Sequence, residues 1–212
     1  MFDIKTNTKN NFEKSTKIME EYYFNNQIIF SNKLVQFKDK FCYFIELVNY
    51  WTQILGLVIY KSSYPDTRKY LIKNLIDENL SDLTHVDTFY NFLLECGYVG
   101  DVNELIMISK QNQIIIKYKK LLENFILNHD FSDCVEMLGS IEYVYHLISR
   151  DINKYFIIQY FIEPSFHFDT HEILDQTHAK ELLESSGNQL YSITNIEFGS
   201  QWIVNVIKEL IH

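Results

Sequence analysis

The stretch 132–162 reads SDCVEMLGSIEYVYHLISRDINKYFIIQYFI, and its pattern decides the fold class. Its apolar residues recur three and four positions apart, as from Leu138 to Ile141. This is the period of an α-helix rather than the two-residue alternation of a strand. Ser132 is expected to cap the first turn, and Pro164 follows shortly after the end, where a helix is interrupted. The stretch therefore predicts one long helix within a helical core.

The same spacing continues on both sides of this stretch and predicts helices over most of the chain. Only 6 Gly and 2 Pro occur in 212 residues, too few for the recurring turns of an all-β protein. Asp101 is a predicted helix cap, with Glu104 as its capping-box partner. We predict an all-α single domain of about seven or eight helices over 12–212, preceded by a polar, frayed segment over 1–11. The predicted helices are about 12–30, 34–60, 67–79, 84–96, 102–127 with an interruption near 109–113, 132–162, 166–185 and 190–211.

Charge and cysteine usage narrow the possible partners. The net charge is −9, and only two of the 19 basic residues are arginines, so the basic footprint of a nucleic-acid-binding protein is missing. The same balance gives no attraction to an anionic membrane surface. Three widely spaced cysteines form no CxxC pair and fit a reducing cytoplasm. Polar residues interrupt the apolar runs before the roughly 18 residues of a membrane span, so we expect a cytoplasmic protein without a membrane partner.

Residues with metal-binding side chains are concentrated in the stretch 167–178, HFDTHEILDQTH. His171, Asp175 and His178 occupy positions i, i+4 and i+7, so their side chains project from the same face of a helix. Two imidazoles and a carboxylate on one rigid element suit iron, manganese or zinc. His167, one turn earlier, is a candidate accessory ligand. A solvated helix face is the alternative interpretation of this pattern.

Two further groups of side chains complement this face. Glu78 and His85 are seven positions apart, which is two helical turns if the helix continues or bends gently between them. Glu142 lies among apolar and aromatic neighbours, where a buried carboxylate must be paired, protonated or bound to a metal. A surface position is the alternative for each of these residues. Together, three carboxylates and three imidazoles can hold two metal ions, as in carboxylate-rich helical di-iron proteins, although the chain lacks the two Glu-x-x-His pairs of the ferritin-like pattern.

The order Glu-x6-His, a lone Glu and His-x3-Asp-x2-His resembles the heme-oxygenase-like di-iron oxidase and oxygenase superfamily. The stretch 74–78 with His85-Val86-Asp87 is similar to the first ligand helix of that superfamily, and 166–184 is similar to the last. The resemblance implies a heme-oxygenase-like fold and two iron ions, with manganese as the alternative in one position. It implies an O2-dependent oxidoreductase that oxidises or cleaves an amino acid, an amine or a fatty acid. The implied metal ligands are Glu78, His85, Glu142, His171, Asp175 and His178.

The resemblance also suggests candidate catalytic residues. One branch, similar to the chlamydial para-aminobenzoate synthase, consumes one of its own tyrosines, and that tyrosine corresponds to Tyr22 or Tyr23 here. The lysine that the branch carries ten residues after the lone Glu is replaced by Ile152, which argues against a self-sacrificing role. Arg150 is a candidate for binding a substrate carboxylate through its forked guanidinium.

Two other functions are compatible with the same sequence. The first is a non-catalytic helical interaction or effector protein built on the same scaffold. The second is a hydrolase resembling thiaminase II, which would depend on Cys134 as its nucleophile, although the Pro-Cys-x-Trp context of that branch is missing. Apart from a small-molecule substrate, the expected partner is a second copy of the chain, since homodimers are the commonest assemblies.

Overall fold

The computed structural model describes residues 4–26, 28, 38–62, 64–79, 83–160, 165–186 and 191–211. This part of the chain forms α-helices and one 3-10 turn, Phe41–Phe44, and contains no strand. The prediction of an all-α fold is therefore confirmed. The α-helices are α1 (Ile4–Asn25), α2 (Ile45–Lys61), α3 (Pro65–Asn79), α4 (His85–Glu95), α5 (Val102–Ser109), α6 (Gln113–Asn128), α7 (Phe131–Tyr160), α8 (Phe166–Ser185) and α9 (Ile193–Ile211).

The first two helices differ most from the sequence-based boundaries. α1 begins at Ile4, so 4–11 is helical although its polar composition predicted fraying. The packed remainder of α1 supplies the helix nucleus, and each further residue can then join the helix without the cost of forming a new nucleus. α2 begins at Ile45 after the 3-10 turn rather than near residue 34. Residues 1–3, 27 and 29–37 lie outside the described part.

Side-chain caps fix where several helices begin. Asp101 caps α5 as predicted, because its carboxylate accepts hydrogen bonds from two backbone N–H groups of the first turn. Asn112 does the same for α6. The predicted cap at Ser132 is wrong, since its hydroxyl donates to the Ser186 carbonyl. Asp130 takes that role in α7 by accepting from the Asp133 N–H at 3.0 Å. A carboxylate is favoured at this end because the helix dipole is positive there.

α7 is the central helix and packs most extensively against α8 and α9. The crossing with α9 is close because Gly199 faces α7 there. A Cβ added at Gly199 would lie 2.0 Å from Ser140 Oγ and 2.5 Å from the Met137 carbonyl oxygen. α8 also contacts α3 and α4. This packing directs one face of α8 toward three other helices and creates the interior in which the candidate site lies.

One described stretch, Phe41–Lys61, is long and apolar enough to cross a membrane by length and composition. Its mean hydropathy is 1.3. Glu46 and the other polar residues interrupt the apolar run, but the apolar residues outweigh them in this average. The expectation that no segment reaches membrane-spanning length is therefore not met at this stretch. Half of it is buried inside the protein, and core helices of soluble proteins pass the same test. The cytoplasmic location stays a prediction.

Candidate metal centre

The six side chains expected to bind metal lie in one buried cluster between four helices. Glu78 lies near the end of α3, His85 begins α4, and Glu142 lies in the middle of α7. The other three, His171, Asp175 and His178, project from α8. None of the six is more than 6% exposed. The alternative of a solvated surface is therefore excluded for all six.

Glu142, Asp175 and His178 form the most compact part of the cluster. Each offers one potential ligand atom, and these atoms all lie within 4.8 Å of one another. His178 Nε2 is 3.0 Å from Asp77 Oδ2, whereas its Nδ1 is buried and has no hydrogen-bond partner among the described residues. A histidine held by a carboxylate through one nitrogen, with the other nitrogen free, has the arrangement typical of a metal ligand.

The remaining three side chains pair with neighbours in the cluster. His85 Nδ1 lies 2.6 Å from Glu78 Oε2. His171 Nδ1 lies 2.9 Å from both oxygens of Asp175, and its Nε2 is buried without a hydrogen-bond partner in the described part. The His85 and His171 rings are 4.5 Å apart between centroids. These contacts join α3, α4 and α8 at one point.

Two side chains from other helices orient Glu142, and periodicity along the chain does not reveal them. Asn74 Nδ2 in α3 donates to Glu142 Oε1 at 2.8 Å. Trp51 Nε1 in α2 donates to the same oxygen at 3.2 Å. Both donors hold the carboxylate in place and leave its second oxygen for another partner. The Asp77 contact to His178 was likewise missing from the sequence-based site.

A local sequence signal places His85. The hydroxyl of Thr84 accepts a hydrogen bond from the Asp87 N–H, and the Asp87 carboxylate accepts one from the Thr84 N–H, so the two form a capping box. This capping box fixes His85 as the first residue of α4. The spacing of seven between Glu78 and His85 therefore spans a break between two helices, not two turns of one helix. Residues 80–82 lie outside the described part.

Burial dominates the electrostatics of the cluster. It raises the pKa of Glu142 and of Asp175 well above their usual ranges, and repulsion between the carboxylates raises each pKa further. Burial also lowers the pKa of His171 to about 3, with a further reduction from His85. In His85, burial lowers the pKa, but the hydrogen bond and charge of Glu78 outweigh it, so the pKa is raised overall. Several acidic groups thus share an interior with little positive charge.

The chemistry of this donor set fits divalent first-row metal ions. Carboxylate oxygens and imidazole nitrogens suit iron and manganese, and the unpartnered His171 Nε2 and His178 Nδ1 are available as ligand atoms. Bound cations would also relieve the repulsion that raises the carboxyl pKa values. His167 fits less well as an accessory ligand, because its nitrogens lie 2.9 Å from Thr88 Oγ1 and 3.1 Å from the Tyr145 hydroxyl.

A small cavity of about 50 Å³ borders the cluster. Tyr145 and four of the six predicted ligands, Glu78, Glu142, His171 and Asp175, contribute to its lining. Among the described residues, the rest of the lining is apolar or aromatic and includes no lysine or arginine. The apolar part consists of Phe44, Leu47, Val48, Trp51, Ile141, Trp202 and Ile203.

The three predicted catalytic residues lie at a different place in the described structure. The Tyr23 hydroxyl donates to Asp151 Oδ2 at 2.7 Å, and Arg150 Nε lies 3.4 Å from Asp151 Oδ1. Tyr22 is half-buried and packs against the core. None of the three lines the cavity at the cluster. Tyr23 and Arg150 therefore share a polar contact with Asp151 near the end of α1, and the catalytic role of all three residues stays an untested prediction.

Cys134 is buried and inert in its environment. Its Sγ lies 3.9 Å from the Ile126 carbonyl oxygen and 4.0 Å from that of His129. Burial raises the pKa of the thiol to about 11, so almost no thiolate forms near neutral pH. This environment does not favour the thiaminase-like alternative.

Neither a scan against protein-family models nor a search of curated proteins finds a match to this chain. The resemblance to the heme-oxygenase-like superfamily thus rests on six residue types, their order and their spacing. The packing of those residues into one cluster is an independent observation that concerns the chemistry of the site and not its ancestry.

Proposed function

We propose that this chain is a non-heme di-iron enzyme that uses O2 to oxidise a small organic substrate. The observation that carries the proposal is the buried cluster of three carboxylates and three imidazoles contributed by four helices. A soluble protein seldom buries so many ionisable groups together unless a cation or a reaction requires them. Manganese in one position is compatible with the same donors.

The six clustered residues are the proposed metal ligands. Contacts with neighbouring side chains hold Glu142 and His178 in position. When bound, two iron ions would supply the redox chemistry that reduces O2. The carboxylates would balance the positive charge. The contact with Asp77 favours a proton on His178 Nε2, which leaves the buried Nδ1 with its lone pair for a metal ion. The apolar wall beside the cluster excludes bulk water and so limits side reactions. An amino acid, an amine or a fatty acid remains the proposed substrate class.

The test is an anaerobic Fe(II) titration followed by rapid mixing with O2 under stopped-flow absorbance. We expect about two iron ions per chain, as in helical di-iron carboxylate proteins, and a transient visible absorbance after mixing. His171→Ala removes a buried ring nitrogen from the cluster and should abolish the transient. His129→Ala is the matched control, because His129 is exposed at the end of α6, and its ring stacks on Phe125 and hydrogen-bonds the backbone of that helix.

The outcome separates the proposed enzyme from the alternatives. Wild-type protein and His129→Ala should behave alike, with His171→Ala losing both iron and absorbance. If the wild-type protein takes up no iron and shows no transient, the oxidase proposal fails. A non-catalytic interaction protein would then be the better description of the same scaffold.

A further inference from the structure

Two pockets outside the cluster meet at His85, and their walls differ in chemistry. The polar pocket has a volume of about 320 Å³ and is lined by Asn49 and Asn79 among other polar residues. The apolar pocket has a volume of about 350 Å³ and is lined by Ile76 and Phe166 among other apolar residues. Because His85 lines both pockets, each of them leads from the surface toward the proposed metal ligands.

The polar pocket offers the groups that attract a hydrated cation. Glu78 and Asp87 contribute carboxylates, and the described lining residues include no lysine or arginine. The Thr52 hydroxyl and the Asn79 side-chain amide each donate to a backbone carbonyl of their own helix, which leaves their oxygens able to accept hydrogen bonds from an ion's waters. A cleft lined by charges of one sign raises the local concentration of oppositely charged ions and speeds their association.

The polar pocket is also large enough for an ion that still carries its water shell. A shell of about six waters, at roughly 30 Å³ for each water, takes up about 180 Å³. The polar pocket exceeds this volume, whereas the cavity inside the cluster holds only about 50 Å³. An ion that passes from one space to the other must therefore exchange most of its waters for protein ligands. Glu78 lines both spaces and is the charged side chain at which this exchange can begin.

The apolar pocket is a poorer route for a hydrated ion. Ile76, Leu83, Phe166 and Leu174 contribute to its lining, and such side chains cannot replace the waters that a cation gives up. Asp77 adds a carboxylate to this pocket, but one of its oxygens already lies 3.0 Å from an imidazole nitrogen of α8. The chemistry of the two walls therefore favours the polar pocket.

We infer that the polar pocket is the route by which metal ions reach the cluster, and that Glu78 and His85 are the first of the six ligands to bind them. The inference rests on the proposed function, since it concerns how the proposed metal centre is loaded. The other three ligands that line the inner cavity, Glu142, His171 and Asp175, do not line the polar pocket. They complete the coordination only after an ion has passed Glu78.

The experiment blocks each pocket with the same neutral label. The three native cysteines are buried, and burial raises the pKa of each thiol, so an introduced surface cysteine reacts selectively. Asn79→Cys and Thr52→Cys place a thiol in the polar pocket on two different helices, α3 and α2. Ile76→Cys is the matched control, because residue 76 lies one turn earlier on α3 and lines the apolar pocket. Each variant is compared before and after reaction with N-phenylmaleimide.

Chelator-treated protein is mixed with Co(II), and the growth of the visible Co(II) absorbance gives the rate of uptake. The label should slow uptake about tenfold or more in Asn79→Cys and in Thr52→Cys, because an ion must then wait for a local opening of the structure. The label should leave the rate unchanged in Ile76→Cys. The final absorbance should be the same in every sample, since a blocked entrance changes the rate of binding and not the affinity.

The possible outcomes separate the route from the metal centre itself. Unchanged uptake in both labelled polar-pocket variants, or equal slowing in labelled Ile76→Cys, would overturn the polar route. Loss of the final absorbance in both labelled polar-pocket variants would assign the effect to the ligands and would overturn the route as well. If unlabelled wild-type protein develops no Co(II) absorbance, the metal centre fails before any label is added, and the proposed function fails with it.

Discussion

The two ring nitrogens of His178 have different environments, and that difference sets which of them can bind a metal. Nε2 lies 3.0 Å from Asp77 Oδ2, so the carboxylate favours the tautomer with its proton on Nε2. Nδ1 then carries the lone pair and is buried without a hydrogen-bond partner among the described residues. Outer carboxylates of this kind raise the basicity of a ligand imidazole and fix its orientation. Asp77 is therefore a positioning residue of the proposed site.

Replacing Asp77 should weaken metal binding without unfolding the protein. We expect Asp77→Ala to lower the affinity for Co(II) by about 10–100-fold, the usual cost of losing an outer-shell partner. Asp77→Asn should lose less, since the amide oxygen can accept the same hydrogen bond. Competition titrations followed by the visible Co(II) absorbance provide the measurement. Asp169→Ala is the control, because it removes an exposed carboxylate from the first turn of α8; an equal loss there would contradict the positioning role.

The tautomer itself can be observed in the metal-free protein. Long-range 1H–15N correlation spectra should show His178 protonated at Nε2 in the wild type and in Asp77→Asn. In Asp77→Ala, the two tautomers should exchange. A purely structural role of Asp77 would leave the His178 nitrogen shifts unchanged in every variant.

Residues on one helix face are predictable from the sequence, whereas their partners on other helices are not. His171, Asp175 and His178 follow directly from helical periodicity because i, i+4 and i+7 share a face. Asp77 stands next to Glu78 in the sequence, but adjacent helical residues point about 100° apart. Nothing along the chain indicates that Asp77 meets α8. Such contacts depend on how helices pack, which spacing alone does not determine.

At the level of helices, the same limit applies to Glu78 and His85. Their spacing of seven predicts a shared helical face only if one helix continues or bends gently between them, whereas the capping box at Thr84 separates α3 from α4. The two side chains meet because both helices pack against α8. The capping residues Thr84 and Asp87 are recognisable in the sequence as a local start signal. The angle at which α4 then leaves α3 is a property of the packed core.

The crossing of α7 and α9 depends on the absence of a side chain at Gly199. A Cβ there would lie 2.5 Å from the Met137 carbonyl oxygen, and a backbone atom cannot rotate away as a flexible side chain can. We expect Gly199→Ala to lower the free energy of unfolding by about 1–3 kcal/mol, the range for overpacking. Urea denaturation followed by circular dichroism provides the measurement.

Gly56, in the middle of α2, is the matched control for this prediction. An added Cβ meets no atom within 4 Å there. Gly56→Ala should therefore raise the free energy of unfolding by roughly 0.5–1 kcal/mol, because alanine loses less conformational entropy in a helix than glycine does. The two substitutions are therefore expected to change the free energy of unfolding in opposite directions. A stabilised Gly199→Ala variant would show that α7 and α9 can move apart at little cost.

At the scale of the whole molecule, the metal-free cluster makes stability depend on pH. The pKa of His85 is raised in the folded protein, so the folded state binds more protons than the unfolded state just above pH 6.5, the usual histidine pKa. The raised pKa values of Glu142 and Asp175 act in the same direction. Burial lowers the pKa values of His146, His167 and His171, and these three act in the opposite direction. Their effect is largest below pH 6.5, where the unfolded histidines are mostly protonated, and fades above it.

The free energy of unfolding of the metal-free protein should therefore fall as the pH rises from about 6.5 to 8. A pKa that is one unit higher in the folded state than in the unfolded state corresponds to about 1.36 kcal/mol. Urea unfolding curves collected across this range in the presence of a chelator provide the measurement. Glu142→Gln, a nearly isosteric change, removes one buried acid and should reduce the slope. A free energy of unfolding that stays level or rises over this range would refute the proposed charge balance of the cluster.

Metal binding should stabilise the folded protein and reverse this pH dependence. The ligands come from four helices and assemble only in the folded state. A cation that binds the folded protein alone stabilises it by about 2.7 kcal/mol at 100 times its dissociation constant. Because metal ligands bind in their deprotonated forms, the stabilisation by Co(II) should be larger at pH 8 than at pH 6.5. Thermal unfolding at both pH values, with and without Co(II), provides the measurement. His171→Ala should lose most of this stabilisation and His129→Ala should retain it, whereas equal stabilisation of both variants would mean that the ion binds outside the cluster.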